Sequence, residues 1–183
     1  MKFYTSSNNP IEIKEEIGKG GEGIVYEMRN GDILKIYHNA STSIESKIKA
    51  LISKNLKFKG ICFPTEIVLD ANKKFAGYIM SKASGHEMQK TIFQPKLLTE
   101  KFPNWTRGDL CLIGGDILKK IEYLHSNNII IGDINARNIL LTNEKEVFFV
   151  DTDSYQIDNF PCPVGTTHFT APEIQGINFE NTL

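Results

Sequence analysis

Several residue types able to do chemistry stand in one order along this chain. Gly18-Lys19-Gly20-Gly21-Glu22-Gly23-Ile24-Val25 is a complete G-x-G-x-x-G-x-V. Lys35 follows inside the apolar run Ile33-Leu34-Lys35-Ile36-Tyr37, where a cation is hard to justify unless an anion lies in front of it. Asp133, Asn135 and Asn138 come directly after Ile129-Ile130-Ile131, and Asp151-Thr152-Asp153 after Val147-Phe148-Phe149-Val150. These residues offer a turn whose backbone N–H groups can approach phosphate oxygens, a cation, a base and oxygen ligands for a hard metal ion.

Each part has a plainer alternative. A lone glycine motif often does no more than turn the chain. Its dinucleotide-binding form needs a helix immediately afterwards, whereas Ile24-Val25-Tyr26 followed by Asn30-Gly31 reads as a strand and a type I′ hairpin. The G-K-[ST] ending of a P-loop is absent as well. Most strand lysines lie on the solvent face of a sheet, but a glycine-turn hairpin just before Lys35 favours a phosphate-binding role. Such a lysine wants a carboxylate on the next helix. Glu45 is the only acid there, in imperfect register because Lys49 stands four residues on.

Asp133 ends an apolar stretch, and a buried carboxylate needs a partner or a task. It can take the proton of an attacking hydroxyl, with Asn138 spaced to ligate Mg²⁺ and Asn135 able to support either. The alternative is an Asx-rich turn. Asp151 is delivered by its own apolar strand, so a carboxylate and an amide oxygen converge from two hairpin arms. Asp153 lies on the same side if that strand continues, and which of the two carries the metal stays open.

The elements that must position these residues are legible in outline. Ile11 to Ile17, Ile24 to Arg29, Asp32 to Tyr37, Phe63 to Leu69 and Phe75 to Met80 read as strands. Residues 41–52 form a helix with Ile44, Ile48, Leu51 and Ile52 on one face. Ser81 to Gly85 is a small-residue joint. Glu87 to Trp105 reads as a short helix and loop, broken at Pro95 and Pro103. Arg107 to Asn127 is a helix with Leu110, Ile113, Ile117, Leu118, Ile121 and Leu124 as its apolar stripe. Gly114-Gly115 inside it either packs against a close neighbour or weakens the helix by about 1 kcal/mol per glycine.

With 183 residues, 40% hydrophobic and 23% charged, the chain can build one domain or two small lobes. A net charge of −1 gives no overall basic field for nucleic acid or an anionic membrane. Cys62, Cys111 and Cys162 form no C-x-x-C pair and read as buried, reduced thiols. The polar start, Met1 to Asn9, is not the pattern of a signal peptide, and a cytoplasmic location is expected.

The joint order of these parts resembles a serine/threonine-type protein kinase. Val164-Gly165-Thr166-Thr167-His168-Phe169-Thr170-Ala171-Pro172-Glu173 resembles the G-T-x-x-[YF]-x-A-P-E end of an activation segment. Within that superfamily the chain looks most like a bacterial branch with a G-D-x-N catalytic loop. That branch also carries a lysine motif ending K-I-Y and a D-x-D-S metal motif, matched here by Asp151-Thr152-Asp153-Ser154. The likeness runs from about Ile11 to Ile174.

The resemblance implies a bilobal α+β fold. Residues 1–83 would be a five-stranded antiparallel N-lobe with one main helix, and 84–183 the first part of a mostly helical C-lobe. Gly18, Lys19, Gly20, Gly21 and Gly23 would cover the phosphates of ATP, and Lys35 would bind them, held by Glu45. Val25 would form part of the adenine pocket and Met80 would take the gatekeeper position, with Ser81, Lys82 and Ala83 as the hinge. Asp133 would be the base and Asn135 its neighbour in the catalytic loop, while Asn138 and Asp151 would hold Mg²⁺, with Mn²⁺ as an alternative. The implied partner is a protein bearing a Ser or Thr hydroxyl, with no nucleic acid or membrane. Oligomeric state stays open.

The departures also carry expectations. Ile131-Gly132 replaces the usual His-Arg, so activation by a phosphate docking on that arginine is not expected. Asn135 stands where a lysine usually reaches the γ-phosphate, which removes one transition-state charge. The chain ends ten residues after Glu173, where the family's large lobe continues, so a shortened domain with exposed apolar surface is implied. A nucleotide-binding pseudokinase or interaction module is the alternative. A small-molecule kinase of the aminoglycoside-phosphotransferase type is a further one, disfavoured by the complete glycine turn and by Gly165 with Ala171-Pro172-Glu173.

Overall fold

The computed structural model describes residues 2–162, 167–170 and 172–175. The chain divides into two units, one of Met1–Lys57 with Cys62–Lys82, the other of Phe58–Ile61 with the chain from Ala83 onward.

The first unit is an antiparallel sheet with one helix. Its strands are β1 (Tyr4–Thr5), β2 (Ile13–Lys19), β3 (Gly23–Met28), β4 (Ile33–Tyr37), β5 (Pro64–Leu69) and β6 (Phe75–Met80), in the spatial order β1-β5-β6-β4-β3-β2. The five long strands are those the alternation implies. Tyr4–Thr5 adds a sixth at the edge, too short for any period to announce it. Helix α1 (Thr42–Ser53) is capped by the Ser41 hydroxyl, which accepts from the Ile44 N–H, and it packs on β5 and β6 through its buried Ile48 and Leu51. One sheet face buries Phe3, Met28, Leu34, Val68, Ala76 and Ile79 as a cluster. Alternation along β4 therefore turns Ile33, Lys35 and Tyr37 to the opposite face.

The β3–β4 turn differs from the type I′ hairpin expected. Of Asn30 and Gly31 only Gly31 has positive φ, 92°. Gly31 N donates to Met28 O at 3.0 Å and Met28 N to Asp32 O at 2.8 Å. This is a three-residue loop with its glycine at the left-handed position, and the extra residue Arg29 lengthens the turn by one.

The second unit begins with β7 (His86–Glu87), α2 (Met88–Thr91) and α3 (Pro95–Lys101). Pro95 does not break this segment as expected but opens α3 in its first turn, where its missing N–H costs nothing. Helix α4 (Arg107–Ser126) starts on a full capping box: the Thr106 hydroxyl accepts from Asp109 N and the Asp109 carboxylate accepts from Thr106 N. Its buried face carries Ile113, Lys120 and Leu124, whereas Leu118, expected in the apolar stripe, is 66% exposed. A Cβ at Gly114 or Gly115 would meet nothing within 4 Å, so no neighbour among the described residues packs against that pair.

Strands β8 (Ile129–Ile130), β9 (Ile139–Leu141), β10 (Val147–Phe149) and β11 (Gln156–Ile157) complete the unit as two small sheets, β10-β9-β7 and β11-β8. Phe58–Ile61 belongs here by contact: Phe149 N donates to Gly60 O at 2.7 Å, and the Phe58 ring lies 4.5 Å from that of Tyr123. Cys62 and Cys162 are buried as expected, but Cys111 is exposed on α4. Among the described residues no helix is long and apolar enough to cross a membrane.

Candidate functional site

The glycine motif is the turn of the β2–β3 hairpin. Gly18 pairs with Val25 and Lys19 with Ile24, and Gly20 N donates to Gly23 O at 2.9 Å to close it. The residue after β4 braces the same turn. His38 N donates to Glu22 O at 2.9 Å, and His38 Nε2 lies 3.0 Å from Gly20 O. A carbonyl only accepts, so His38 carries a proton on Nε2 in this contact. The glycines are not equivalent. A Cβ on Gly23 would stand 2.2 Å from Ile36 O, so strand packing itself demands glycine there. At Gly20 and Gly21 a Cβ would meet nothing within 4 Å. Packing gives no reason for glycine at those two positions.

Lys35 is not on a solvent face. It is 5% exposed, on a strand hydrogen-bonded on both sides, and it stands opposite Val25 and Tyr78 in register. Residues directly opposite share a face, so the structure brings Val25 and Lys35 together. The carboxylate beside Lys35 is not the one expected. Its Nζ donates to Glu22 Oε2 at 3.2 Å and lies 5.5 Å from the centre of the Tyr37 ring. Glu45 instead accepts from Lys49 Nζ at 2.6 Å, one turn along α1. A partner four residues away on the same helix costs almost nothing to reach, and it takes the carboxylate first.

Met80 is buried at the end of β6, opposite Ile33 and Pro64. Ser81 and Lys82 follow it, exposed. The Lys82 ammonium donates to Glu27 Oε2 at 2.6 Å while Lys14 donates to Glu27 Oε1 at 2.9 Å. Lys14 and then Lys82 hold the Glu27 carboxyl below its ordinary value. The Lys82 side chain is thus committed to the sheet, and only its backbone is left for a hinge role. Ala83 opens the second unit.

In the second unit the loop before β9 is built by its own polar groups. Asn135 Oδ1 accepts from Arg137 N at 2.9 Å and Asn135 O from Asn138 N at 2.9 Å, an Asx turn. The Asn135 side chain therefore shapes the loop. Helix α2 pins it from outside: Gln89 N donates to Ala136 O at 3.1 Å and Arg137 Nε to Gln89 Oε1 at 3.0 Å. Asp133 and Asn138 line a small cavity of about 30 Å³ with Ile117, Ile121, Phe149 and Tyr155.

The β9–β10 hairpin brings two predicted ligands to one end. Ile139 pairs with Phe149, and Val150 N donates to Asn138 O at 3.0 Å, so Asn138 and Asp151 leave adjacent strands side by side. Among the described residues no hydrogen bond engages the Asn138 side chain. Asp151 has φ 60° and ψ 38°, a left-handed conformation that Asp tolerates better than most residues. Its carbonyl accepts from both the N–H and the hydroxyl of Ser154, at 3.2 and 2.8 Å. The chain thereby enters a 3₁₀ turn, Thr152–Ser154, with Asp153 buried. The strand does not continue, so the expected same-side placement of Asp153 by alternation does not apply. An amide oxygen and a carboxylate are the hard donors that suit Mg²⁺.

Of the kinase-like segment near residue 170, Val164, Gly165, Thr166 and Ala171 lie outside the described residues. Thr167–Phe169 and Pro172–Ile174 are 3₁₀ turns. The roles of Glu22, His38, Gln89 and Arg137 were not legible as such. For Glu22 a signal existed: an acid in the glycine turn, one hairpin away from a strand lysine.

The protein kinase domain family matches residues 11–180. Relatives include protein kinase YegI of Escherichia coli K12, 27% identical over 100% of this chain and 30% of its own length. MAP3K epsilon protein kinase 2 of Arabidopsis thaliana is 27% identical, over 94% of this chain and 13% of its own. Serine/threonine-protein kinase sgk-1 of Caenorhabditis elegans is 24% identical, over 93% of this chain and 38% of its own. The chain belongs to the protein kinase family, and it spans less than a third of the length of YegI.

Proposed function

We propose that the chain transfers the γ-phosphoryl group of ATP to Ser or Thr hydroxyls of proteins, with a divalent cation, Mg²⁺ in the first instance. The observation that carries this reading is the shared hairpin end of Asn138 and Asp151, made by the Val150 N to Asn138 O bond of 3.0 Å, in a chain of kinase family. A bound Mg²⁺ would neutralise charge on the β- and γ-phosphates. Asn138 and Asp151 are the residues assigned to hold it.

The remaining roles follow the chemistry of each group. The open backbone of Gly20 and Gly21, with Gly18, Lys19 and Gly23, serves phosphate oxygens, and Lys35 supplies the positive charge. Val25, Met80 and the backbone of Ser81 to Ala83 are assigned to the adenine. Asp133 accepts the hydroxyl proton as the substrate oxygen bonds to the γ-phosphorus and the bond to ADP breaks. Asn135 holds the loop that carries Asp133. Glu45, engaged by Lys49, is left without an assigned part. Residues 1–83 then act as the nucleotide lobe and 84–183 as the catalytic one. A cytoplasmic location suits such a reaction.

Incubation with labelled ATP, Mg²⁺ and a generic protein substrate tests this directly. Transfer is expected from the wild type and not from Lys35→Met or Asp133→Asn. Label transferred equally by all three proteins would sink the assignment. Nucleotide binding without any transfer would favour the nucleotide-binding module.

A further inference from the structure

We infer that His38, the residue after β4, is a positioning residue: by holding two carbonyls of the glycine turn it aims the N–H groups of Gly21 and Gly23 at nucleotide phosphate. This rests on the nucleotide reading above. His38 N donates to Glu22 O at 2.9 Å, and His38 Nε2 lies 3.0 Å from Gly20 O.

The two contacts differ in what they require. The backbone bond continues the β3–β4 ladder by one residue, and any non-proline residue at 38 would permit it. The imidazole contact needs a side-chain N–H at that reach. It also changes how the turn closes. Gly20 N donates to Gly23 O at 2.9 Å, but Gly20 O accepts from the imidazole, and among the described residues no return bond runs from Gly23 N to Gly20 O. In a trans peptide unit the N–H points opposite to the C=O. Fixing Gly20 O and Glu22 O on His38 therefore turns the Gly21 and Gly23 N–H groups the other way, away from β4. Backbone N–H groups sharing one direction suit an anion.

A Cβ at Gly20 or Gly21 would meet nothing within 4 Å, so packing does not restrain those two residues. Loss of the imidazole contact leaves them the wide conformational range of glycine, and the ligand must then order the turn itself. One exposed hydrogen bond places the effect at about two- to fivefold in affinity.

The test uses the full chain with ADP and with adenosine, both in EDTA so that no metal ion contributes. Binding is measured by calorimetry for wild type, His38→Leu and His38→Gln, whose side-chain amide offers an N–H near the place of Nε2. His38→Leu is expected to weaken ADP about two- to fivefold and to leave adenosine, which carries no phosphate, unchanged. His38→Gln should recover most of the loss. Unchanged ADP binding in His38→Leu, equal weakening of ADP and adenosine, or a loss that His38→Gln does not recover overturns the inference. A second readout needs no nucleotide: amide hydrogen exchange of the peptide holding Gly20 to Gly23, read by mass spectrometry, should be faster in His38→Leu. Faster exchange with no ADP binding by any variant would overturn the nucleotide reading and the positioning role with it, while showing that the brace is real. ADP binding that ignores His38 would overturn the positioning role alone.

Discussion

The carbonyl of Asn138 accepts the N–H of Val150 at 3.0 Å, so the residue next to Asp151 is locked beside Asn138 at the end of the β9–β10 hairpin. Backbone pairing, not side-chain contact, sets this spacing. Asn138→Ala should therefore leave thermal unfolding nearly unchanged, and Asn138→Ala and Asp151→Asn should each cut the proposed metal-dependent phosphoryl transfer by about 10²-fold or more. Transfer at wild-type rate in both variants would remove them from the reaction.

The glycines should separate by substitution. Gly23→Ala drives a Cβ to within 2.2 Å of Ile36 O and should cost about 1–3 kcal/mol of stability. Gly20→Ala meets open space and should melt like wild type, yet weaken nucleotide binding. Denaturant unfolding and ADP titration of the two variants check this. Equal loss of stability in both would show that packing explains the whole motif.

Lys120 is 3% exposed and donates to Asp116 Oδ2 at 2.7 Å, and the same oxygen accepts from Val147 N at 3.1 Å. Removing the acid strands both donors. Asp116→Ala should cost about 3 kcal/mol or more, whereas Lys120→Met, which removes the charge and keeps the stem, should cost clearly less. Comparable losses in unfolding experiments would contradict this.

Asp109 links the cap of α4 to the β9–β10 turn, with Lys145 Nζ 2.7 Å from Oδ1. The Lys145 ammonium, then the Thr106 N–H and hydroxyl, hold this carboxyl at about 2. A depressed folded-state value means stability that is complete above the ordinary carboxylate range and is lost as pH falls through about 2. The melting-temperature gap between wild type and Asp109→Asn should thus be constant above pH ~4 and shrink toward pH ~2. A gap independent of pH across that window would show that the charge contributes nothing.

The strands and helices were legible where their periods are long. Leu34 and Ile36 alternate with Lys35, and Ile44, Ile48 and Leu51 recur at helical spacing, so faces follow from sequence alone. Tyr4–Thr5 carries no period and was not. The Asn30-Gly31 signal located a turn correctly but not its length, because the register of Met28 against Asp32 depends on the strands that pair. Leu118 was placed in the stripe of α4 by type, yet it is 66% exposed.

Taken alone, the sequence determined the order of the parts: a glycine turn after an alternating strand, a lysine inside an apolar strand, then an Asp-Asn loop and an aspartate that each follow an apolar run. It also marked the sheet, since alternation and apolar runs are properties of neighbours along the chain. Which acid meets Lys35 was decided by tertiary structure. A hairpin turn folded back brings Glu22 to the lysine, while Glu45 is taken by a partner one helical turn away. The placement of Asp153 was decided there too, by the left-handed φ of Asp151 that ends the strand's alternation. Side-chain period encodes a face, but the partner met on that face depends on residues brought in from elsewhere in the chain.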